Sequence, residues 1–187
     1  IAAHPESPDA LIFSAGNRMV TKDGGDYVFT GSTDKMFTTI DKLVTIFDKK
    51  SGNSVSGSST LKDIGIPLYI YVFSNDNSLF LTAELKASLE LRNMKSNFGL
   101  VPMPKYDESQ ESYYCYRWQD TPMLCIPVTN SDPASTGAIM DAMAYISYDS
   151  VLPVFYENTM AQKQLRNDES IEMLAIIRDS RSFNTGR

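Results

Sequence analysis

The sequence is poor in the residues that most enzyme and metal chemistry needs. It has one histidine, His4, and two cysteines, Cys115 and Cys125. A Ser-His-Asp triad would depend on a residue beside Pro5 near the start of the chain. A zinc site would have to be built from carboxylates without a supporting motif. No apolar run approaches the roughly 18 residues of a membrane span, and Ile1-Ala-Ala-His4 is no signal peptide. The 17 basic residues are scattered and outnumbered by 23 acidic ones, for a net charge of −6. Neither nucleic acid nor an anionic membrane surface is therefore an expected partner. No cofactor is expected either, since Gly52-Asn-Ser-Val-Ser-Gly57 lacks the Gly-Lys-Ser/Thr ending of a phosphate loop and the three-glycine dinucleotide spacing.

What is present is the composition of a globular domain: 187 residues, 42% of them hydrophobic, enough for one domain or a lobe with an extension. Ser7-Pro8-Asp9 predicts a helix with Ser7 as its cap, stopped at Gly16. Two short β-prone runs, 18–22 and 26–30, flank Asp23-Gly24-Gly25 and predict a hairpin. After Ser32 an amphipathic helix is expected, with Phe37, Ile40, Leu43, Val44 and Phe47 as its apolar stripe and its end near Asp48. Residues 51–60, rich in Ser and Gly, read as a loop. The apolar run 66–73 fits a buried strand or a helix by periodicity alone. A strand over 78–82, a helix over 84–94 and a strand over 98–101 outline a βαβ unit. A second strand is expected over 123–128. Asp132 caps and Pro133 opens a helix with the stripe Ile139, Ala142, Met143 and Ile146. Two more helices follow after polar breaks, 151–165 and one carrying Ile171, Leu174 and Ile177 whose first turn holds Asp168-Glu169, favourable for the helix dipole.

Tyr106, Tyr113, Tyr114, Tyr116 and Trp118 fall within thirteen residues. Sugar rings stack their C–H faces on such side chains while their hydroxyls seek carboxylates, amides and guanidinium groups. Trp118 beside Arg117, with Tyr114 and Tyr116, supplies both kinds of group; the other reading is that these tyrosines pack on the domain. Acidic pairs such as Asp107-Glu108 and Asp168-Glu169 read as a turn and a helix start rather than as glycosidase carboxylates. A hairpin tip at Gln119-Asp120-Thr121 would set Cys115 opposite Cys125, within reach of a disulfide; two independent thiols remain equally open.

The stretch Phe98-Gly-Leu-Val-Pro-Met-Pro-Lys-Tyr-Asp-Glu-Ser-Gln110, then Tyr113-Tyr114 and Ile126-Pro-Val-Thr-Asn130, resembles the second half of extracellular solute-binding proteins of bacterial ABC importers. The similarity is to the carbohydrate-type, maltose-binding-protein-like group of gut-dwelling Gram-positive bacteria. It extends through Gly16, Asp41-Lys-Leu-Val44, the 79–81 segment and Asp168-Glu-Ser170. The resemblance implies an α/β fold: a helix-rich lobe of the periplasmic-binding-protein type II fold with a small mixed sheet. It favours a helix over 66–73. It puts Ala83 and Glu84 where a helix N-terminus faces the ligand cleft, although Glu84 could equally be only a partner of the helix dipole.

The resemblance further implies a binding protein without enzyme activity, held outside the cell as a surface lipoprotein and delivering a carbohydrate or related small solute to the membrane subunits of an importer. Hinge closure of two lobes would trap the solute. This chain would then be one part of a longer protein: about 1–101 the second-lobe core, 102–130 the crossover with its aromatic cluster, 131–187 the carboxy-terminal helices. Taken alone, it would expose apolar surface and self-associate. A fragment of a carbohydrate-active hydrolase and a structural domain without ligand are the other readings.

Overall fold

The computed structural model describes residues 1–48, 50, 54–56, 60–63, 65–117, 124–156 and 168–182. The chain is a mixed α/β protein. Its organising sheet is three very short parallel strands in the order β4-β1-β7: β1 (Ala2–Ala3) at the centre, β4 (Val55–Ser56) on one side and β7 (Leu81–Thr82) on the other. Ala2 and Ala3 are fully buried. Residues without bulk at the centre let neighbouring elements close over the backbone, which is stitched by Ala2 N–H to Phe80 O and His4 N–H to Thr82 O, each at 2.8 Å. The sequence hid this strand, because two alanines carry no alternation. It likewise hid β4, so the loop expected over 51–60 is corrected at Val55–Ser56. The sheet is parallel rather than mixed; the antiparallel pairs are separate two-stranded ladders.

Helix α1 (Ser7–Ser14) begins one residue before the expected position. Glu6 is its N-cap and Ser7 lies inside the helix, where its hydroxyl donates to Thr82 O at 3.2 Å and accepts from Thr82 Oγ1 at 2.7 Å instead of capping. Its end is as read: Gly16 takes φ +81°, a left-handed conformation that glycine adopts without strain. The hairpin also forms as read, with β2 (Val20–Asp23) and β3 (Asp26–Phe29) in register from Val20↔Phe29 to Asp23↔Asp26 around Gly24-Gly25, both at positive φ.

Helix α2 (Asp34–Phe47) matches its expected span, but a different face is buried. Met36, Thr39 and Leu43 point inward, while Phe37, Ile40 and Val44 are exposed. A buried polar pair sets this rotation: Asn17 Nδ2 donates to Thr39 Oγ1 at 3.1 Å, and Thr39 Oγ1 donates to Lys35 O at 2.7 Å. Turning the apolar stripe inward would take Thr39 away from Asn17 and leave its buried amide with only the longer 3.3 Å bond to Ile12 O, at a cost of about 1 kcal/mol. The cap is Thr33, whose Oγ1 accepts from Met36 N–H at 3.1 Å. Thr33→Ala is expected to cost about 1 kcal/mol. Urea unfolding followed by circular dichroism checks this, with Thr33→Ser expected to lose little, since a serine hydroxyl caps equally well.

Strands β5 (Thr60–Leu61) and β6 (Ile66–Pro67) pair antiparallel, and β6 runs into α3 (Leu68–Ser74), so residues 66–73 are chiefly helical. The helix expected over 84–94 is broken into α4 (Ala87–Glu90) and a 3-10 turn (Leu91–Asn93). Ile70, Ala87, Leu91 and Met94 form a core cluster against which Tyr69, Phe73, Leu81 and Phe98 pack.

Neither strand proposed around the crossover forms. Residues 98–101 form no ladder: Phe98 packs edge-on against Phe73 at 6.4 Å, and Leu100 N–H is satisfied by Ser170 Oγ at 2.9 Å. The βαβ outline therefore fails at its second strand. Residues 124–128 are irregular, and Leu124 and Val128 are exposed; Pro127 removes a ladder donor near the end of the run.

Asp132 caps α5 (Pro133–Ile146) as read, its carboxylate accepting from Ser135 N–H at 3.0 Å. The Ser135 hydroxyl, and after it this backbone bond, hold the Asp132 carboxyl below its ordinary pKa. The helix continues without the expected break through a π-helical turn, Ser147–Val151. None of its residues is buried, and the stripe of Ile139, Met143 and Ile146 is exposed. Helix α6 (Asp168–Asp179) buries Leu174 against Leu85, Leu100 and Tyr156. It leads into β9 (Arg181–Ser182), which lies parallel to β8 (Cys115–Tyr116). The remainder of the helix expected over 151–165 lies outside the described residues from 157 onward.

Candidate functional site

A cleft of about 1120 Å³ opens between the parallel sheet, the Ile70 cluster and the β8–β9 pair. Three separated stretches supply its walls. The first is the start of α1, with His4, Glu6 and Ser7. The second runs from Asp76 past β7 to Leu85. The third combines 97–103 with Cys115–Arg117 and Arg181. Its lining mixes apolar side chains with a few charged and hydroxyl groups, as small-molecule sites do.

Ala83, Glu84, Tyr116 and Arg117 all line this cleft, although Glu84 and Tyr116 are 32 residues apart in sequence. Ala83 and Glu84 follow β7 directly, so the short strand delivers them to the rim. The helix N-terminus expected at Glu84 is displaced: α4 starts at Ala87, and Glu84 is instead in the preceding turn, its carbonyl accepting from Ala87 N–H at 2.9 Å. Its carboxylate pairs with Lys86 Nζ at 2.6 Å, and this partner raises the Lys86 pKa. Burial raises that of Tyr69, with Glu90 and Glu84 acting in the same sense.

Tyr114 does not line the cleft. It packs behind the wall, its ring 6.5 Å from Phe13 and 4.7 Å from the Arg18 guanidinium. Tyr116 has both roles, facing the cleft while meeting Phe13 edge-on at 5.5 Å. Tyr106 and Tyr113 are engaged by cations: Lys35 and Lys42 stand 5.0 and 4.7 Å from the Tyr106 ring, and Lys105 stands 4.6 Å from that of Tyr113. For these tyrosines and Tyr114, packing on the domain is the better reading. Trp118 lies outside the described residues, as do Gln119, Asp120 and Thr121.

Both cysteines are free. Cys115 pairs in β8 with Arg181, not with a strand containing Cys125, and burial raises its thiol pKa while Arg181 opposes the shift. Cys125 is exposed and lines a separate depression with Ile126, Pro127 and Met140. The disulfide geometry drawn from a hairpin about residue 120 is therefore corrected: β8 is engaged elsewhere and residues 124–126 form no strand.

Sequence reasoning set His4 aside as terminal, yet it lines the cleft. Its Nδ1 accepts from Glu6 N–H at 3.2 Å and its ring meets Tyr69 edge-on at 5.5 Å. Ser7 beside it is bonded to Thr82, so the two do not form a nucleophile and base pair. No local motif marked His4; only the central position of β1 brings it there. Among the described residues no group of His, Cys, Asp and Glu could hold a metal ion, and no helix is long and apolar enough to cross a membrane. No family model matches the chain, and no curated protein or solved structure is significantly similar to it.

Proposed function

We propose that this chain is the larger part of the carboxy-terminal lobe of an extracellular solute-binding protein, of the periplasmic-binding-protein type II fold, that delivers a carbohydrate to an ABC importer. The observation that supports this reading best is the gathering of Ala83, Glu84, Tyr116 and Arg117 on one cleft. Their chemistry suits a sugar: an aromatic face for C–H groups, with a carboxylate and a guanidinium for hydroxyls. On this reading the protein is a binder and not an enzyme, anchored at the cell surface as a lipoprotein, and a second lobe closes over the bound solute.

One lobe holds only one face of the ligand, so this chain is expected to bind sugars in the millimolar range. Titration of ¹⁵N-labelled chain with a panel of mono- and disaccharides, followed by amide chemical shifts, tests this. Shifts confined to cleft residues at millimolar sugar support the proposal. Release of smaller sugars marks a hydrolase, and no shift with any sugar sinks the binding reading. Micromolar affinity means that the site is complete within these residues and overturns the two-lobe part.

Glu84→Ala separates binding from folding. The Glu84–Lys86 pair is on the surface, where such pairs are worth about 0–1 kcal/mol, so stability should stay within that range. Loss of a charged acceptor for a sugar hydroxyl should weaken binding by about tenfold. A large drop in Tm with unchanged sugar affinity would make Glu84 structural.

A further inference from the structure

The β8–β9 ladder sets Cys115 beside Arg181 and Tyr116 beside Ser182, so Arg117 leaves the end of β8 on the same wall as Arg181, and both residues line the cleft. Arg181 is oriented from behind. Its Nε donates to Arg178 O at 2.8 Å, and its guanidinium carbon lies 6.0 Å from the centre of the Tyr156 ring. Those contacts leave its two terminal NH₂ groups available, and among the described residues Arg181 makes no ion pair. Three acidic residues line the same cleft: Glu84 is engaged by Lys86, Asp76 by the Ser96 hydroxyl at 2.7 Å, and Glu6 stands at the start of α1.

A guanidinium cannot shed its charge at physiological pH, and its planar fork matches a carboxylate in a two-bond geometry that a neutral hydroxyl cannot reproduce. In a chain of net charge −6, long-range attraction does not draw an anion in; a local cation must do so, and Arg181 lines the cleft. We propose that the solute carries a carboxylate, as a uronic acid does, and that Arg181, with Arg117 beside it, receives that group. This rests on the sugar-binding reading above and narrows it to acidic sugars.

The test is an amide-shift titration of the 187-residue chain with D-galacturonate, D-galactose and acetate at matched ionic strength. Galacturonate should shift residues 115–117 and 181–182 and bind about tenfold more tightly than galactose or acetate, the scale of a charge-assisted hydrogen bond. Arg181→Gln should abolish the preference for galacturonate over galactose, while Arg181→Lys should keep part of it. If Arg181→Gln does not fold, the salt dependence of the wild-type chain replaces it: galacturonate affinity should fall as salt rises and galactose affinity should not. Galactose binding as tightly as galacturonate, or a preference that survives in Arg181→Gln, overturns the acidic-sugar assignment and leaves the sugar reading standing. Acetate matching galacturonate overturns the sugar half of the proposal. Absence of shifts with all three overturns both this inference and the reading beneath it.

Discussion

Phe13→Ala is expected to destabilise the chain by about 3–5 kcal/mol, the range for removing a fully enclosed phenylalanine. Phe13 is 1% exposed. Its ring meets Tyr116 at 5.5 Å and Tyr114 at 6.5 Å, both edge-on, and carries the Arg18 guanidinium 3.8 Å above its centroid. Aromatic pairs and cation–π contacts each add about 0.5–1.5 kcal/mol to simple burial. Arg18 would also lose its platform while its Nη1 still reaches Phe13 O and Asn17 O, at 3.1 and 2.8 Å. Phe13→Leu should recover roughly half of the loss, since it refills most of the volume but restores no ring contact. Urea midpoints with unchanged slopes would show that the native state is what changed. Because Phe13 supports Tyr116 from behind, the alanine variant should also loosen one wall of the cleft. A loss under about 1 kcal/mol would mean that the ring is not the link between α1 and β8.

Features governed by neighbouring residues were legible in the sequence. The Gly24-Gly25 hairpin, the Asp132-Pro133 helix start, the Gly16 stop and the span of α2 each follow from local turn or cap chemistry. Features decided by distant partners were not. Which face of α2 is buried depends on Asn17, from the other side of the Gly24-Gly25 hairpin. That residues 98–101 form no strand depends on Ser170, from the far end of the chain. Strands of two residues, such as β1, β4 and β8, are too short to show any period. The site divided along the same line. Ala83 and Glu84 came from resemblance and Tyr116 and Arg117 from residue chemistry, whereas His4 and Arg181 reach the cleft only through strand pairing.

Gln110→Glu is expected to cost about 2–4 kcal/mol at neutral pH, more than Gln110→Ala, although it changes one atom. Gln110 fastens the crossover to α1. Its Nε2 donates to Ser14 O at 2.9 Å and Ser112 O at 2.8 Å, and its Oε1 accepts from Tyr106 N–H at 3.1 Å. Two carbonyl partners fix which end of the amide is nitrogen. Ser14 is fully buried at the last turn of α1, where backbone carbonyls lack helical partners, so water cannot readily replace the lost donor. A carboxylate there would press an anionic oxygen against two carbonyl dipoles, adding repulsion to two lost bonds, each worth about 0.5–1.5 kcal/mol. Alanine loses the bonds without the repulsion. The protonated acid can still donate one bond, so the folded-state pKa of this glutamic acid should lie above its unfolded value of about 4.3. The stabilising proton is then fully present below about pH 4 and is lost as pH rises through the folded-state pKa. Relative to wild type, the glutamate variant should therefore recover stability on acidification while the alanine variant should not. Chemical unfolding of the three proteins at pH 4 and pH 7 checks both statements. Equal losses for the two variants at pH 7, with no pH dependence in their difference, would show that the Gln110 amide does not hold Ser14 in the way described.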